Sequence, residues 1–293
     1  MSYEADESEI EASRAPLLDH LVELRKRLII CALALMVGFV LCFAFSKDIY
    51  LALLHPFKMA GALLAEEQGG KHGPFDLIMV ITGLKHIELH NNAALKLVYT
   101  APLEFFFTKM KLAGFGAVML TFPILAWQLY RFVAPGLYRK ERKAFLPFLM
   151  AAPVLFLMGA ALVYFVMLPF VLWFSLSQQI ASPDVSVQLL PKVSDYLDLV
   201  TKLLLAFGLC FQLPVVLALG GLAGMIHSDA LRKGRRYALV GIVVVSALVT
   251  PPDMISPFLL AVPIYLLYEI SILCVRLIEK RHREEETTEL TTT

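Results

Sequence analysis

The chain has 293 residues, of which 58% are hydrophobic and only 17% charged, with a mean hydropathy of +0.71. Water-soluble domains are about 45–50% apolar and about 25% charged, so this composition excludes an ordinary soluble domain. The formal net charge of +1 indicates no class of partner by itself. Several apolar runs approach the roughly 20 helical residues that cross about 30 Å of hydrocarbon, which predicts an integral membrane protein.

Six apolar segments predict an all-α fold with six transmembrane helices, the last two of them short. The third segment contains three prolines, so kinks are expected there. The fifth has 13 residues and covers only about 20 Å, so it is either a short span in a thinned bilayer or one arm of a re-entrant hairpin. In chain order the segments are Leu28–Phe45, Leu112–Tyr130, about 145–175, Leu203–Ile226, Tyr237–Val249 and Phe258–Val275.

The basic residues predict the orientation of these spans. Every arginine lies in the N-terminal segment, in the 131–144 and 227–236 loops, or at and after the end of the sixth span. Cytoplasmic loops are rich in Lys and Arg, so both termini are predicted to be cytoplasmic. The predicted organisation is a cytoplasmic segment 1–27, a six-helix domain 28–276 with an external loop 47–111, and a disordered tail 277–293 that is rich in Glu and Thr toward its end.

The external loop 47–111 has two features of its own. Residues 46–60 predict a helix on the membrane surface, and residues 76–82 and 85–89 predict a short hairpin around Gly83. The loop contains three histidines that could hold a metal ion, but exposed loop histidines are the simpler interpretation. The chain lacks a Walker-type phosphate loop, a Gly-x-Ser-x-Gly elbow and a His-Glu-x-x-His helix. We therefore expect no catalytic residue, no metal and no cofactor.

Two acids stand among bases in the predicted cytoplasmic segments. Glu23 lies four residues before Arg27, a spacing typical of an ordinary helical ion pair. Glu141 is surrounded by bases in Arg139-Lys-Glu-Arg-Lys143. Spacing alone favours charge balance over a functional role for either acid.

The segments that contain these acids resemble the TatC family, the receptor subunits of the twin-arginine protein translocase. The two motifs are Leu21-Val-Glu-Leu-Arg-Lys-Arg27 and Phe132-Val-Ala-Pro-Gly-Leu-Tyr-Arg-Lys-Glu141. The resemblance covers roughly residues 16–280, including the topology of six spans with two short last helices. Further motifs in the same order are Pro102-Leu-Glu-Phe-Phe106, Ala206-Phe-Gly-Leu-Cys-Phe-Gln-Leu-Pro214, Val249-Thr-Pro-Pro-Asp253 and Tyr268-Glu269.

The resemblance implies a receptor in the bacterial inner membrane that binds signal peptides with two consecutive arginines on folded cargo. It implies TatB- and TatA-type membrane subunits as partners, several copies in one complex, export driven by the proton-motive force, and no nucleic acid. Carried over to this sequence, it assigns signal-peptide binding to Glu23, Arg25, Phe132, Leu137 and Glu141, and partner contacts or assembly to Pro56, Gln212, Asp253 and Glu269.

Some of these assignments have simpler alternatives. Gln212 stands where the family often has glutamate, so a hydrogen bond to a partner's helix is implied but no charge or proton transfer. Asp253 follows two prolines and could cap the sixth span. Glu269 could pair with Arg276, seven residues later on the same face. Pro257 replaces a polar residue of the family, so no polar contact is expected there.

A secondary transporter of a small solute is the alternative function. A transporter should place ionisable groups near the membrane midplane and often repeats its halves. The sequence has no visible repeat, and its conspicuous acids lie at the predicted cytoplasmic rim. That location favours a receptor for something bound at the membrane surface. Glu104, at the external end of the second span, is expected to be structural.

Overall fold

The computed structural model describes residues 3–68, 97–133, 139–181, 186–187, 191–222, 224–250 and 256–291. This part of the chain is helical apart from one pair of two-residue strands, β1 (Ile180–Ala181) and β2 (Ser186–Val187), which confirms the all-α class. A π-helical turn, Val163–Met167, joins α5 to α6. The helices are α1 (Tyr3–Ala44), α2 (Ser46–Leu53), α3 (His55–Gln68), α4 (Glu104–Val133), α5 (Arg139–Leu162), α6 (Leu168–Ser177), α7 (Val193–Cys210), α8 (Leu213–Leu222), α9 (Ser228–Val249) and α10 (Ser256–Thr291).

Five helical segments within the described ranges are long and apolar enough to cross a membrane. They coincide with the predicted first, second, third, fourth and sixth spans. The predicted fifth span, Tyr237–Val249, forms the second half of α9, whose first half carries several bases. The five segments are Leu21–Ala44, Glu104–Phe132, Met150–Ser177, Val193–Leu222 and Leu260–Lys280.

Two helix irregularities within the spans lie next to prolines. A proline has no N–H, and its ring clashes with the carbonyl four residues earlier. Helix α7 ends at Cys210, four residues before Pro214, and α8 begins at Leu213. The π-helical turn immediately precedes α6, which has Pro169 in its first turn. Of the three prolines at which kinks are expected in the third span, Pro169 adjoins the π-helical turn, and the fourth span begins at Val193, ten residues earlier than predicted.

Pro56 lies after a third break, between α2 and α3. Because a proline cannot donate to the carbonyl of Ala52, that carbonyl needs another donor. The Tyr164 hydroxyl donates to the Ala52 oxygen at 2.6 Å, and the Tyr196 hydroxyl donates to the Leu53 oxygen at 2.5 Å. The helix predicted over residues 46–60 is therefore two short helices, anchored to the third and fourth spans, and Pro56 is fully buried between them and the bundle.

The third and fourth spans cross at two glycines. A Cβ atom on Gly159 would lie 2.8 Å from the backbone oxygen of Phe207 and from the ring of Phe211. A Cβ atom on Gly208 would lie 2.6 Å from the ring of Phe156. Small residues let membrane helices approach closely, so each glycine receives an aromatic ring from the opposite helix. Phe207 and Phe211, on the fourth-span side of this crossing, belong to the buried apolar core.

Helices α1 and α4 run antiparallel along most of their length. Gly38 on α1 faces Ala117 and Thr121, and Gly116 on α4 faces Cys42. Only 11% of the apolar window of α1 is buried inside the protein. Most of this helix therefore remains available to lipid or to a bound partner.

The C-terminal prediction is wrong for the residues that the structure describes. Helix α10 continues to Thr291 instead of becoming disordered after residue 277. Opposite charges four residues apart, such as Lys280 with Glu284 and Arg281 with Glu285, favour a helix over a disordered acidic tail. The predicted hairpin over residues 76–89 lies outside the described residues.

Candidate functional site

Glu23 and Arg27 form the predicted ion pair on α1. The Arg27 Nε donates to Oε1 of Glu23 at 3.2 Å, and its Nη2 contacts the same oxygen. The exposed fractions of the two side chains are 33% for Glu23 and 17% for Arg27. The pair is thus partly shielded, which strengthens its electrostatic attraction relative to a fully exposed pair. Its geometry orients the carboxylate of Glu23 at the end of the bundle.

Gln128 connects this pair to the second span. Arg27 Nη1 donates to Oε1 of Gln128 at 3.2 Å, a contact between residues 101 positions apart. Gln128 is 9% exposed, so its amide oxygen is an almost fully buried acceptor. A buried acceptor without a donor costs about 1–3 kcal/mol. The three side chains therefore form one linked unit, which we call the Glu23 triad (Glu23, Arg27 and Gln128).

A second feature of the same stretch of α1 is an exposed apolar surface. It is a shallow depression of about 410 Å³, and its one charged lining residue within the described part of the chain is Arg25. Arg25 is exposed, whereas Phe132, at the end of α4, is half-buried. At about 100° per residue the depression lies on the face of α1 roughly opposite to Glu23 and Arg27. Its described lining residues are Leu21, Leu24, Arg25, Leu28, Ile29 and Ala32.

The structure defines the position of Glu141 by its backbone. Glu141 is the third residue of α5, and α5 follows α4 after only five residues, 134–138. Five residues reach at most about 20 Å, so the start of α5 lies near the end of α4 where Phe132 lies. A carboxylate in the first turn of a helix is favoured by the helix dipole. The Glu141 side chain and all of Leu137 lie outside the described residues.

Glu269 belongs to a different cluster, between α9 and α10. Arg235 Nη2 donates to its Oε2 at 2.7 Å, and the Tyr265 hydroxyl donates to its Oε1 at 3.0 Å. The partner of Glu269 is therefore Arg235 on the neighbouring helix, and Arg276 is exposed on α10. The cluster joins the last two helices near one end of α9.

Gln212 is buried inside this chain. Its Nε2 donates to the backbone oxygen of Ala152 on α5 at 2.8 Å, and the residue is 8% exposed. The contact of Gln212 with a partner's helix stays a prediction; in this chain one N–H of its amide donates within the bundle. Gln212 lies at the break between α7 and α8, where it satisfies a backbone group of the third span. Asp253 lies outside the described residues.

Glu104 is structural, as expected, and joins two helix starts. Its Oε2 accepts from the backbone N–H of Thr100 at 2.7 Å and of Ala101 at 3.2 Å. Its Oε1 accepts from the backbone N–H of Ser194, in the first turn of α7, at 3.4 Å. The carboxylate thus satisfies backbone donors at the beginning of two spans.

Sequence reasoning missed Gln128. The available signal was a polar side chain inside an apolar span, which normally faces other protein groups. It could not identify Arg27 as the partner. Within the described ranges, no three His, Cys, Asp or Glu side chains come together where they could hold a metal ion.

Comparison with known proteins gives a single consistent result. Residues 19–263 match the family model "Sec-independent protein translocase protein (TatC)". The chain is 40% identical over 276 residues to the Sec-independent protein translocase protein TatC of Magnetococcus marinus, covering 94% of this chain and 89% of that protein. It is 35% identical over 272 residues to the Escherichia coli K12 protein of the same name, covering 92% of each chain.

A solved structure agrees with these sequence matches. A crystal structure described as the twin arginine translocase receptor TatC superposes with a TM-score of 0.68 and 30% sequence identity. The match covers 89% of this chain and 99% of that one. The family model, the relatives and the structure all extend over most of the chain, including the Glu23 triad. The chain therefore belongs to the TatC family of Sec-independent protein translocase proteins.

Proposed function

We propose that this chain, as a TatC-family component of the Sec-independent protein translocase, recognises twin-arginine signal peptides on folded cargo proteins. The observation that carries the proposal is the carboxylate of Glu23, oriented by Arg27 on α1, a helix whose apolar surface is largely exposed. A signal peptide that has an arginine pair followed by an apolar stretch matches both features. Membership of a translocase family supports a non-enzymatic transport role and does not favour the alternative of a small-solute transporter.

The chemistry of Glu23 suits an incoming guanidinium. A carboxylate has about four lone-pair sites, so it can accept from Arg27 and from a second donor at once, or exchange one arginine for another. An arginine binds a carboxylate through two parallel N–H donors, and lysine cannot reproduce that geometry. Arg27 therefore presents the carboxylate in an arginine-compatible orientation. We assign the second arginine of the peptide to Glu141, with Arg25, Phe132 and Leu137 completing the surface.

The energies indicate that the arginine pair supplies only part of the affinity. A hydrogen bond to a charged group contributes about 1.5–3 kcal/mol, and an exposed ion pair about 0–1 kcal/mol. Micromolar binding requires about 8 kcal/mol. The remainder must come from apolar burial, for which the depression lined by Leu21, Leu28 and Ile29 is available. The arginines would then determine specificity, and the apolar stretch most of the affinity.

The proposed topology has six spans with both termini in the cytoplasm of a bacterium, in its inner membrane. The five apolar segments support five of the spans, and the second half of α9 would be the sixth. The bases of the N-terminal segment, of the 131–144 loop and of the first half of α9 support the orientation. This arrangement exposes the Glu23 triad to the cytoplasm, where cargo is folded.

The proposed partners are TatB- and TatA-type subunits, with several copies of this chain in one complex and the proton-motive force driving export. The Glu269–Arg235 cluster, Asp253 and the external helix shaped by Pro56 are the proposed contributors to assembly. Pro56 would act through the conformation of α2 and α3, because its own side chain is buried. Gln212 would act through packing, because it bonds to Ala152 inside the bundle.

Crosslinking of a twin-arginine signal peptide to the purified protein in lipid nanodiscs tests the proposal. The variants are Glu23→Gln, Glu141→Gln and the double substitution, which remove charge at nearly constant shape. The matched control is Asp198→Asn, because Asp198 on α7 also forms an ion pair, at 2.9 Å with Lys111, toward the end of α4 that is away from Gln128. A twin-lysine peptide completes the set.

Loss of one charged contact predicts weaker binding by about tenfold or more for each single variant, with Asp198→Asn unchanged. The twin-lysine peptide should bind weakly to the wild type. Equal binding of wild type and double variant would assign both acids to charge balance. Absence of binding by the folded wild type together with its partner subunit would refute the receptor function.

A further inference from the structure

A pocket with both polar and apolar lining residues lies at the other end of α1, far from the Glu23 triad along the helix. It has a volume of about 180 Å³ and is lined by α2, the segment before α4, and the first three turns of α4. It combines two ammonium groups, four hydroxyl-bearing side chains and two apolar ones. The lining residues within the described part of the chain are Ser46, Lys47, Tyr50, Tyr99, Phe105, Thr108, Lys109 and Leu112.

Both lysines of this pocket lack a carboxylate partner among the described residues. Lys109 lies over the ring of Phe43, with Nζ 5.1 Å from the ring centroid. Lys47 is exposed. By contrast, the nearby Lys111 is neutralised by Asp198. Two uncompensated ammonium groups at one pocket give it a positive potential, which is stronger beside apolar walls than in open water.

The hydroxyl groups add neutral donors to this positive pocket. Tyr99 and Tyr50 are hydrogen-bonded to each other, and burial, followed by that bond, raises the pKa of Tyr99 to about 12. Tyr99 therefore keeps its proton at neutral pH. Ser46 is 2% exposed, and its buried hydroxyl has no hydrogen-bond partner among the described residues. The Ser46 oxygen is not accessible from the pocket, so the available donors are the hydroxyls of Tyr50, Tyr99 and Thr108.

The acids near the pocket do not cancel its charge. Asp48 is exposed and is not one of the lining residues. Glu104 lies close enough to Tyr99 to raise its pKa, but its carboxylate already accepts hydrogen bonds from the N–H groups of Thr100, Ala101 and Ser194. The charged side chains that line the pocket are thus both cations, and they stand beside hydroxyl donors and apolar wall, which suits an oxyanion attached to an apolar chain.

The position of the pocket indicates which oxyanion it would meet. The apolar segment of α1 ends at Ala44, two residues before Ser46, and the apolar segment of α4 begins at Glu104. The pocket therefore lies where the hydrocarbon layer gives way to lipid headgroups. Phe105 and the buried Leu112 line it, and exposed apolar side chains, among them Phe106 and Phe107, follow Phe105 on the surface of α4. An acyl chain could extend along that surface.

We infer that this pocket binds the headgroup phosphate of an anionic phospholipid, with Lys47 and Lys109 as its cationic contacts and the hydroxyls of Tyr50, Tyr99 and Thr108 as donors. The bound lipid would hold α2 against the start of α4. In the proposed orientation the lipid belongs to the outer leaflet. The inference does not depend on signal-peptide binding, because it concerns a different pocket and is tested without a peptide.

Native mass spectrometry of the full chain in detergent tests this site with added phosphatidylglycerol. Phosphatidylcholine with the same acyl chains is the zwitterionic comparison. The pocket variant is Lys47→Gln with Lys109→Gln. The control variant is Lys58→Gln with Lys192→Gln, which removes the same charge from two exposed lysines outside the pocket. Thermal unfolding in the same detergent shows whether each variant is folded.

The wild type should bind phosphatidylglycerol in preference to phosphatidylcholine. The pocket variant should lose about tenfold or more of its phosphatidylglycerol affinity, as expected for two lost charge-assisted contacts. The control variant should bind like the wild type. Should the double pocket variant not fold, the single substitutions Lys47→Gln and Lys109→Gln must each weaken binding.

Three results would overturn the inference. One is equal binding by the wild type and a folded pocket variant. Another is an equal loss in the control variant, which would indicate general surface electrostatics. The third is displacement of phosphatidylglycerol by an equimolar concentration of inorganic phosphate, which would assign the pocket to a small soluble anion.

Discussion

Arg27 on α1 donates a hydrogen bond to the buried amide oxygen of Gln128 on α4 at 3.2 Å. The same guanidinium contacts the carboxylate of Glu23. One arginine therefore ties the candidate recognition carboxylate to the interior of the neighbouring span. Glu23 is positioned by two helices, and a change on α4 should affect recognition on α1 even where it touches no peptide.

Replacing Gln128 by leucine should weaken signal-peptide binding without removing any acid. The substitution deletes the acceptor for Arg27 Nη1, so Arg27 and Glu23 lose one constraint on their orientation. A neutral hydrogen bond contributes about 0.5–1.5 kcal/mol, so binding should weaken by about two- to tenfold. Peptide crosslinking at several peptide concentrations measures the effect. Gln178→Leu is the control, because Gln178 is exposed at the end of α6. An unchanged peptide affinity in a folded Gln128→Leu variant would show that Gln128 does not influence binding through Arg27 and Glu23.

The crossing of the third and fourth spans predicts a difference between two kinds of glycine. At Gly159 an added methyl group would meet the Phe207 backbone oxygen at 2.8 Å, and backbone cannot move aside easily. Overpacking of this kind costs about 1–3 kcal/mol, so Gly159→Ala should lower the unfolding temperature in detergent. At Gly114 a Cβ atom would meet nothing within 4 Å. Gly114→Ala should therefore be neutral or stabilising by up to about 1 kcal/mol, since alanine favours the helix. Equal unfolding temperatures for the two variants would contradict the crossing geometry.

The break at Pro56 predicts unequal effects of removing two tyrosine hydroxyls. Tyr196 is 3% exposed and donates to the Leu53 oxygen, so Tyr196→Phe leaves a buried carbonyl without that donor. The expected loss is about 1–3 kcal/mol of unfolding free energy. Tyr164 donates to the Ala52 oxygen at a more exposed position, where water can replace the hydroxyl. Tyr164→Phe should cost less, and chemical denaturation of the two variants in mixed micelles compares them. A larger loss for Tyr164→Phe would contradict the burial argument.

The membrane class could be predicted from the sequence, and the break at Pro214 could have been, because both depend on local chemistry. Apolar runs of sufficient length identify spans. Pro214 has no N–H, so it cannot donate the helical hydrogen bond to the carbonyl of Cys210, whichever helices lie next to it. The ion pair of Glu23 with Arg27 also follows from spacing alone. These features require no knowledge of which helices are neighbours.

The contacts between spans could not be predicted in this way. Arg27 meets Gln128 across 101 residues, and Glu269 meets Arg235 across 34. Neither contact follows from a helical period, because each depends on how two helices pack. Gln212 illustrates the same limit: its polarity indicated a contact across helices, but only the packing shows that the acceptor is Ala152 in the same chain.

The ion pair between Arg235 and Glu269 predicts a small coupling in stability. The exposed fractions of the side chains are 44% and 29%, so water screens much of their attraction. Exposed pairs contribute about 0.2–1 kcal/mol in double-mutant cycles. Arg235→Gln, Glu269→Gln and the double substitution should therefore give a coupling within that range when unfolding is measured in detergent. Arg276→Gln combined with Glu269→Gln is the control cycle and should give a smaller coupling, because the partner of Glu269 is Arg235.

If copurification of a TatB-type partner falls in Glu269→Gln far more than this coupling explains, the cluster contributes to assembly. Unchanged copurification would limit the cluster to joining α9 and α10.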